Sequence, residues 1–267
     1  MEIITSRQNP KIKQARALRE RKHREDSGLF LVEGIRQVGE AAEAGADIQA
    51  IFYAPERLTS PYALELIQGQ AARGVPCHVT TAAVFESLAD KEHPQGILAI
   101  VRQPKNRLAD LSPVNFAWGV ALVAPQDPGN LGAILRTIDA VGANGLLLLE
   151  KGVDPYHPVA VRASMGSLFW HPLVTASFPD FAGWVRQHGY TVYGTSAHGS
   201  HDYRQVAAYR RPLILLMGSE REGLTDDQAA ICRAVIRLPM HGRATSLNLA
   251  VAAGVMLYSI MDKLVSE

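Results

Sequence analysis

Three stretches of this sequence are apolar almost without interruption: AWGVALVA (117–124), GLLLLE (145–150) and PLILLMG (212–218). A strand with one wet face alternates apolar and polar residues, so unbroken runs of this kind belong to strands covered on both faces. They constrain the C-terminal half to a parallel sheet with helices on each side. Further strands read at 172–176, 190–196 and 234–239, with helices near 129–142, 179–188 and 246–263. An earlier alternation places strands at 29–34, 48–54, 76–80 and 96–101 and helices near 35–45, 61–73 and 81–90, which reads as βαβ units. Between the two, RQPKNRLADLSPVN (102–115) is polar, proline-punctuated and without period, as a linker is. The expected class is therefore α/β. A smaller N-terminal domain spans 1–104, a linker 105–115 and the larger domain 116–267.

Composition excludes several functions. With 47% hydrophobic and 20% charged residues the chain is globular rather than disordered. No apolar run approaches the length of about 20 residues that a membrane-spanning helix needs. The start MEIITSRQNPKIK lacks the apolar core of a signal peptide, and Cys77 and Cys232 form no CxxC pair. These features point to a cytoplasmic protein without a disulfide framework or a cysteine-based zinc site. Net charge is +1, which on its face argues against nucleic acid. Its distribution argues the other way. Residues 1–24 hold eight basic and two acidic side chains, a net of +6, which leaves −5 for the rest. Asn9-Pro10 reads as an N-cap with proline at the first helical position, opening a basic helix over 10–24 with Ile12, Ala15 and Leu18 as its apolar stripe. Arg7, Lys11, Lys13, Arg16, Lys22 and Arg24 are the candidate phosphate contacts.

Three polar or glycine-bearing segments fall at the carboxyl ends of the apolar runs, where open α/β sheets bind ligands. The first, Asp127-Pro128-Gly129-Asn130, leads into a helix that Asn130 is placed to cap, with Arg136 about two turns in. A charge set among Leu135, Ile138 and Ala140 needs a partner. The second is Gly218-Ser219-Glu220 with Gly223 close behind, where glycine permits close backbone approach. The third leaves Pro239 and reaches Ser246 and Asn248 at the start of an Ala/Gly-rich helix, whose free N–H groups favour electron-rich ligands. Neither GxGxxG after a strand nor GxxxxGK[ST] is present, so dinucleotide and P-loop sites are disfavoured. His198 and His201 form an HxxH without a third ligand, a weak metal motif, and no metal is expected.

In this order and spacing, DPGNLGAILRT, LLMGSEREGL and LPMHGRATSLNLAVAAGVMLY resemble the three motifs of the SpoU branch of the SPOUT RNA methyltransferases. VRASMGSLFWHP (161–172) is similar to the Arg-x-Ser-x-Gly stretch of that family. ITSRQNPKIKQ and LFLVEGIRQV resemble the ribosomal-protein-like RNA-binding module of many members, so the likeness spans nearly the whole chain. One departure stands out: Thr245 occupies a position before the third-motif serine that is acidic in many members.

The resemblance implies a C-terminal parallel sheet tied in a deep trefoil knot, a topology no periodicity argument reaches. It implies S-adenosylmethionine held by Gly218, Ser219, Glu220, Leu238, Met240, Ser246 and Leu247, and a homodimer completing the active site. The implied reaction is methylation of a ribose 2′-hydroxyl, most simply in ribosomal RNA, with Asn130, Arg136, Glu220, Ser246 and Asn248 in the functional positions. An arginine is costly to deprotonate, so Arg136 is cast as a fork for phosphate and developing oxyanion charge. Asn130 and Asn248 then orient the hydroxyl while Glu220 positions Arg136 or the substrate. A 2′-hydroxyl excludes DNA as acceptor. Two other RNA readings stay open, a tRNA 2′-O-methyltransferase and a non-catalytic ribosome-assembly factor. A third, outside RNA, is an α/β enzyme acting on a small molecule.

Overall fold

The computed structural model describes residues 3–90 and 93–265. It divides into two compact units: Met1–Pro104 with Asp154–Phe169, and Lys105–Val153 with Trp170–Glu267. The sequence reading carried the second domain unbroken from 116, so the grouping of 154–169 with the first unit is a difference. So is the expected linker: 105–115 belongs to the second unit, where Leu111 and Phe116 are buried in the core. Trp184 Nε1 donates to Leu111 O at 3.0 Å and Tyr190 Oη to Phe116 O at 2.7 Å, which fixes that segment in place.

The first unit opens with helices α1 (Pro10–Ala17) and α2 (Arg21–Ser27). The Asn9-Pro10 start is as expected, with Asn9 Oδ1 accepting from Lys11 N at 2.9 Å. The single helix expected over 10–24 is instead broken, and the cause is Arg24. Its Nη1 donates to Leu18 O (2.8 Å) and Arg19 O (2.6 Å), carbonyls that a continuous helix would have used itself. There follow β1 (Leu29–Glu33), α3 (Ile35–Glu43), β2 (Ile48–Tyr53), α4 (Pro61–Ala72), β3 (Cys77–Val79), α5 (Ala82–Glu86) and β4 (Ile97–Arg102). The sheet order is β1-β4-β2-β3, with β4 antiparallel to both neighbours and only β2–β3 parallel. β1-α3-β2 is thus a split βαβ unit rather than the adjacent pair expected, because β4, apolar and buried over Ile97–Val101, lies between β1 and β2. Ile12, Ala15 and Leu18 pack with Phe52, Phe85, Leu98 and Ile100 in the core beneath α1.

The second unit contains β5 (Trp118–Val123), α6 (Pro128–Val141) and β6 (Gly145–Leu149). The chain then passes through α7 (Pro158–Ala163) of the first unit. It returns as β7 (Leu173–Ala176), α8 (Phe178–His188), β8 (Thr191–Thr195), β9 (His201–Asp202), β10 (Leu213–Met217), α9 (Asp226–Ala230), β11 (Ala234–Arg237) and α10 (Leu249–Asp262). Short elements such as α7, α9 and β9 offer too few residues for a period to register. The seven strands lie in the order β7-β6-β5-β10-β8-β11-β9 and every neighbouring pair is parallel. Chain direction across the sheet reverses at β5, and β10 inserts between β5 and β8, so the ligand-binding crevice of an open α/β sheet falls there. Among the described residues no helix is long and apolar enough to cross a membrane.

Candidate active site

β10 ends at Met217, and the chain turns at once. Ser219 N donates to Gly223 O and Gly223 N to Ser219 O, each at 3.0 Å, closing a small loop. A Cβ at Gly218 would lie 2.1 Å from the carbonyl carbon of Gly223, so only glycine fits beneath that loop. The loop presents Glu220. On the strand beside it, β5 leads into α6, whose N-cap is Asp127, not Asn130 as expected: Asn130 N donates to Asp127 Oδ1 at 2.7 Å. With the cap supplied one turn earlier, the Asn130 side chain is released for other work. Its Nδ2 donates to Glu220 Oε1 at 2.5 Å and its Oδ1 accepts from Asn248 Nδ2 at 2.8 Å. Asn248 caps α10 through Oδ1, which accepts from Ala250 N (2.9 Å) and Val251 N (3.2 Å). The helix expected from 246 therefore begins at Leu249, and Ser246 and Leu247 run ahead of it as loop.

Beside this trio lies a cavity of about 490 Å³, lined from the loops after β8, β10 and β11 and from the start of α10. All seven residues expected to hold the methyl donor line it: Gly218, Ser219, Glu220, Leu238, Met240, Ser246 and Leu247. Its size lies within the range that takes a small-molecule cofactor, about 300–1,000 Å³. Sequence reasoning missed Thr195, Ser196 and Ala197 of the β8 loop, although the strand YTVYGTS ends at them. The HxxH motif is divided. His198 lines the cavity, whereas His201 lies in β9 with Ser200 Oγ 2.9 Å from its Nδ1. Among the described residues no group of three or more His, Cys, Asp or Glu is gathered to hold a metal.

Arg136 departs from expectation. Leu135 and Ile138 point inward and are fully buried, which leaves Arg136 exposed on the outer side of α6. It makes no hydrogen bond or ion pair among the described residues, and it does not line the cavity. Glu220 is engaged by Asn130 and not by Arg136.

Residues 118–258 match the model of the SpoU rRNA methylase family, and residues 9–99 that of the MRM3-like substrate binding domain. The chain belongs to the SpoU rRNA methylase family. One relative, the 23S rRNA (uridine(2479)-2′-O)-methyltransferase of Streptomyces viridochromogenes, is 35% identical over 98% of this chain and 93% of its own length. Another, the 23S rRNA (guanosine(2553)-2′-O)-methyltransferase of Bacillus subtilis, is 29% identical over 97% of this chain and 99% of its own. The crystal structure of AdoMet-bound rRNA methyltransferase from Sinorhizobium meliloti superposes with a TM-score of 0.91 at 37% identity, covering 99% of both chains.

The basic residues read from the N-terminus of this family member divide into three groups. Lys11, Lys13 and Lys22 are exposed and, among the described residues, in no ion pair. Arg7 and Arg16 donate to carbonyls of their own unit, Ala83 O at 3.2 Å and Arg7 O at 3.2 Å respectively. Arg24 does not belong among phosphate contacts at all. It is 1% exposed, and its Nε and Nη2 both reach Asp154 Oδ2 at 2.6 Å.

Proposed function

We propose that the cavity holds S-adenosylmethionine and that Asn130, Glu220 and Asn248 receive a ribose 2′-hydroxyl beside it. The protein is an S-adenosylmethionine-dependent methyltransferase that modifies ribosomal RNA. The observation that carries the assignment of residues is the convergence of three segments, far apart in sequence, on one hydrogen-bonded trio at the edge of a cofactor-sized cavity. When bound, the cofactor supplies a methyl group already activated on a sulfonium. What remains for the protein is alignment and disposal of a proton. The loop over Gly218 and the Leu238–Met240 and Ser246–Leu247 segments form the binding walls. Asn130 and Asn248, whose amides are held by their partners, each retain an N–H to orient the hydroxyl. Exposed Arg136 is the candidate fork for an RNA phosphate. The test of function is mass spectrometry of ribose methylation in ribosomal RNA from cells with and without the gene. Loss of one 2′-O-methyl nucleotide is expected; an unchanged methylation map in both ribosomal and transfer RNA contradicts the reading.

The first unit is our candidate RNA-recognition domain, supported by the substrate-binding match over 9–99. Deleting residues 1–24 is a poor test, because Ile12, Ala15 and Leu18 belong to its core. Alanine at Lys11, Lys13 and Lys22 together tests it cleanly. RNA affinity is expected to fall, and the dependence of log K on log salt to flatten by up to about 2–3, at roughly 0.7–0.9 per lost phosphate contact. Equal affinity and slope in a filter-binding titration would count against these residues.

We also propose that the chain works as a homodimer and that its C-terminal stretch is threaded as a trefoil knot. Supporting the knot is the insertion of β10 between the earlier strands β5 and β8. Supporting the dimer is a stripe on α10: Val251, Val255, Tyr258 and Met261 are all exposed at helical spacing, an uncommon concentration of apolar surface on a free helix. Val255→Glu with Tyr258→Glu is expected to halve the mass seen in sedimentation; a species of unchanged mass argues for another interface.

A further inference from the structure

We infer that the Glu220 carboxylate is the proton acceptor for the ribose hydroxyl. The inference rests on the methyltransfer reading above and concerns the same site. The trio is directional from end to end. The N–H groups that open α10 fill Asn248 Oδ1, Asn248 Nδ2 fills Asn130 Oδ1, and Asn130 Nδ2 fills Glu220 Oε1. Asn248 Oδ1 accepts two N–H bonds and Asn130 Oδ1 one, and an amide does not take up a proton at neutral pH even where a lone pair remains. Glu220 Oε2 is the acceptor in the chain that can hold a proton, and it makes no hydrogen bond among the described residues.

Other charged or titratable groups are less well placed. Arg136 is outside the cavity lining, and a guanidinium stays protonated. Arg221 cannot accept a proton for the same reason, and Glu222, on the same loop, is not tied to the asparagine pair. His198 enters from the β8 loop, also without a link to that pair. Asp127 is occupied in capping α6.

In the step, the 2′-oxygen forms its bond to the methyl carbon as its O–H bond breaks and Glu220 Oε2 takes the proton. The electron pair of the broken carbon–sulfur bond returns to sulfur. One carboxylate and one sulfonium thus become a carboxylic acid and a thioether, so charge is conserved without an added reactant. Glu220 then loses the proton to water.

The experiment uses the full chain and its Glu220→Gln and Glu220→Asp variants. Calorimetry with S-adenosylmethionine sets the saturating cofactor concentration for the Gln variant, because Glu220 itself lines the cavity. Single-turnover methyl transfer by that variant is expected to fall by about 10²–10⁴-fold, the usual share of a general base. The rise of rate with pH on the acid side, present in the parent and in Glu220→Asp, is expected to vanish in Glu220→Gln. In the cofactor-free parent, the Asn130 side-chain amide signal is expected to titrate with pH as one proton binds Glu220, and to be flat in Glu220→Gln. A Gln variant that keeps its rate within tenfold or keeps the acid limb, or an Asn130 amide that does not titrate in the parent, overturns the inference. Loss of cofactor binding in the parent itself would instead overturn the reading of the site.

Discussion

Asp154→Ala is expected to lower the stability of the first unit by about 3–5 kcal/mol, the usual cost of leaving one member of a buried ion pair alone. Arg24 is 1% exposed, and among the described residues its guanidinium has, besides Asp154, only the carbonyls of Leu18 and Arg19. Without the carboxylate a guanidinium stays in the interior with its charge uncompensated. Asp154 also accepts from Tyr156 N at 2.8 Å, and the Tyr156 ring lies 4.7 Å from that of Phe30, so the same substitution loosens the segment against β1. Denaturant unfolding and hydrogen exchange across α2 and β1 measure the effect. The double replacement Arg24→Met with Asp154→Leu is expected to recover most of it, because two apolar side chains in place of a buried pair are often neutral or better. S-adenosylmethionine binding is expected to be unchanged, since every residue lining the cavity belongs to the second unit. A loss below about 1 kcal/mol, the scale of an exposed pair, would show that water reaches Arg24 in solution.

Asn130→Ala is expected to slow methyl transfer by about 10²–10³-fold, equivalent to about 2.7–4 kcal/mol of transition-state stabilisation, with cofactor affinity retained. Asn130 is the middle member of the trio and is not among the residues lining the cavity, so its removal strips the reacting centre of orientation without altering the cofactor walls. Asn130→Asp is expected to be worse than alanine. It sets a second carboxylate at the position from which an amide now donates to Glu220 at 2.5 Å. Rapid-quench measurement with labelled methyl donor reads the step directly. Transfer within tenfold of the parent in Asn130→Ala would remove the trio from the chemistry.

Much of the site is legible in the sequence. The strands at 117–124, 145–150 and 212–218 were marked by unbroken apolarity, and the segments after them are where the candidate residues stand. The three-motif resemblance named the seven residues that the fold gathers around one cavity. What went astray was the use of individual polar side chains. Asn130 and Asp127 both have the chemistry of an N-cap, and local pattern offers no means of choosing between them. Arg24 lies in a run of cations with nothing in the sequence to separate it from Lys22.

The sequence alone therefore determined the class of the second unit, six of its seven strands, the Asn9-Pro10 helix start and the loops that bear the chemistry. Each is written in residues within a few positions of one another, through apolar period, capping and turn preference. Tertiary structure alone decided that Arg24 is an interior cation, that 154–169 groups with the first unit, that β4 splits β1 from β2, and that Asn130 joins Glu220 to Asn248. Those outcomes depend on partners 130, 118 and 90 positions apart in the chain. Such pairings are selected by the packing of whole elements, which brings particular atoms within hydrogen-bonding distance, and no local pattern of residues encodes them.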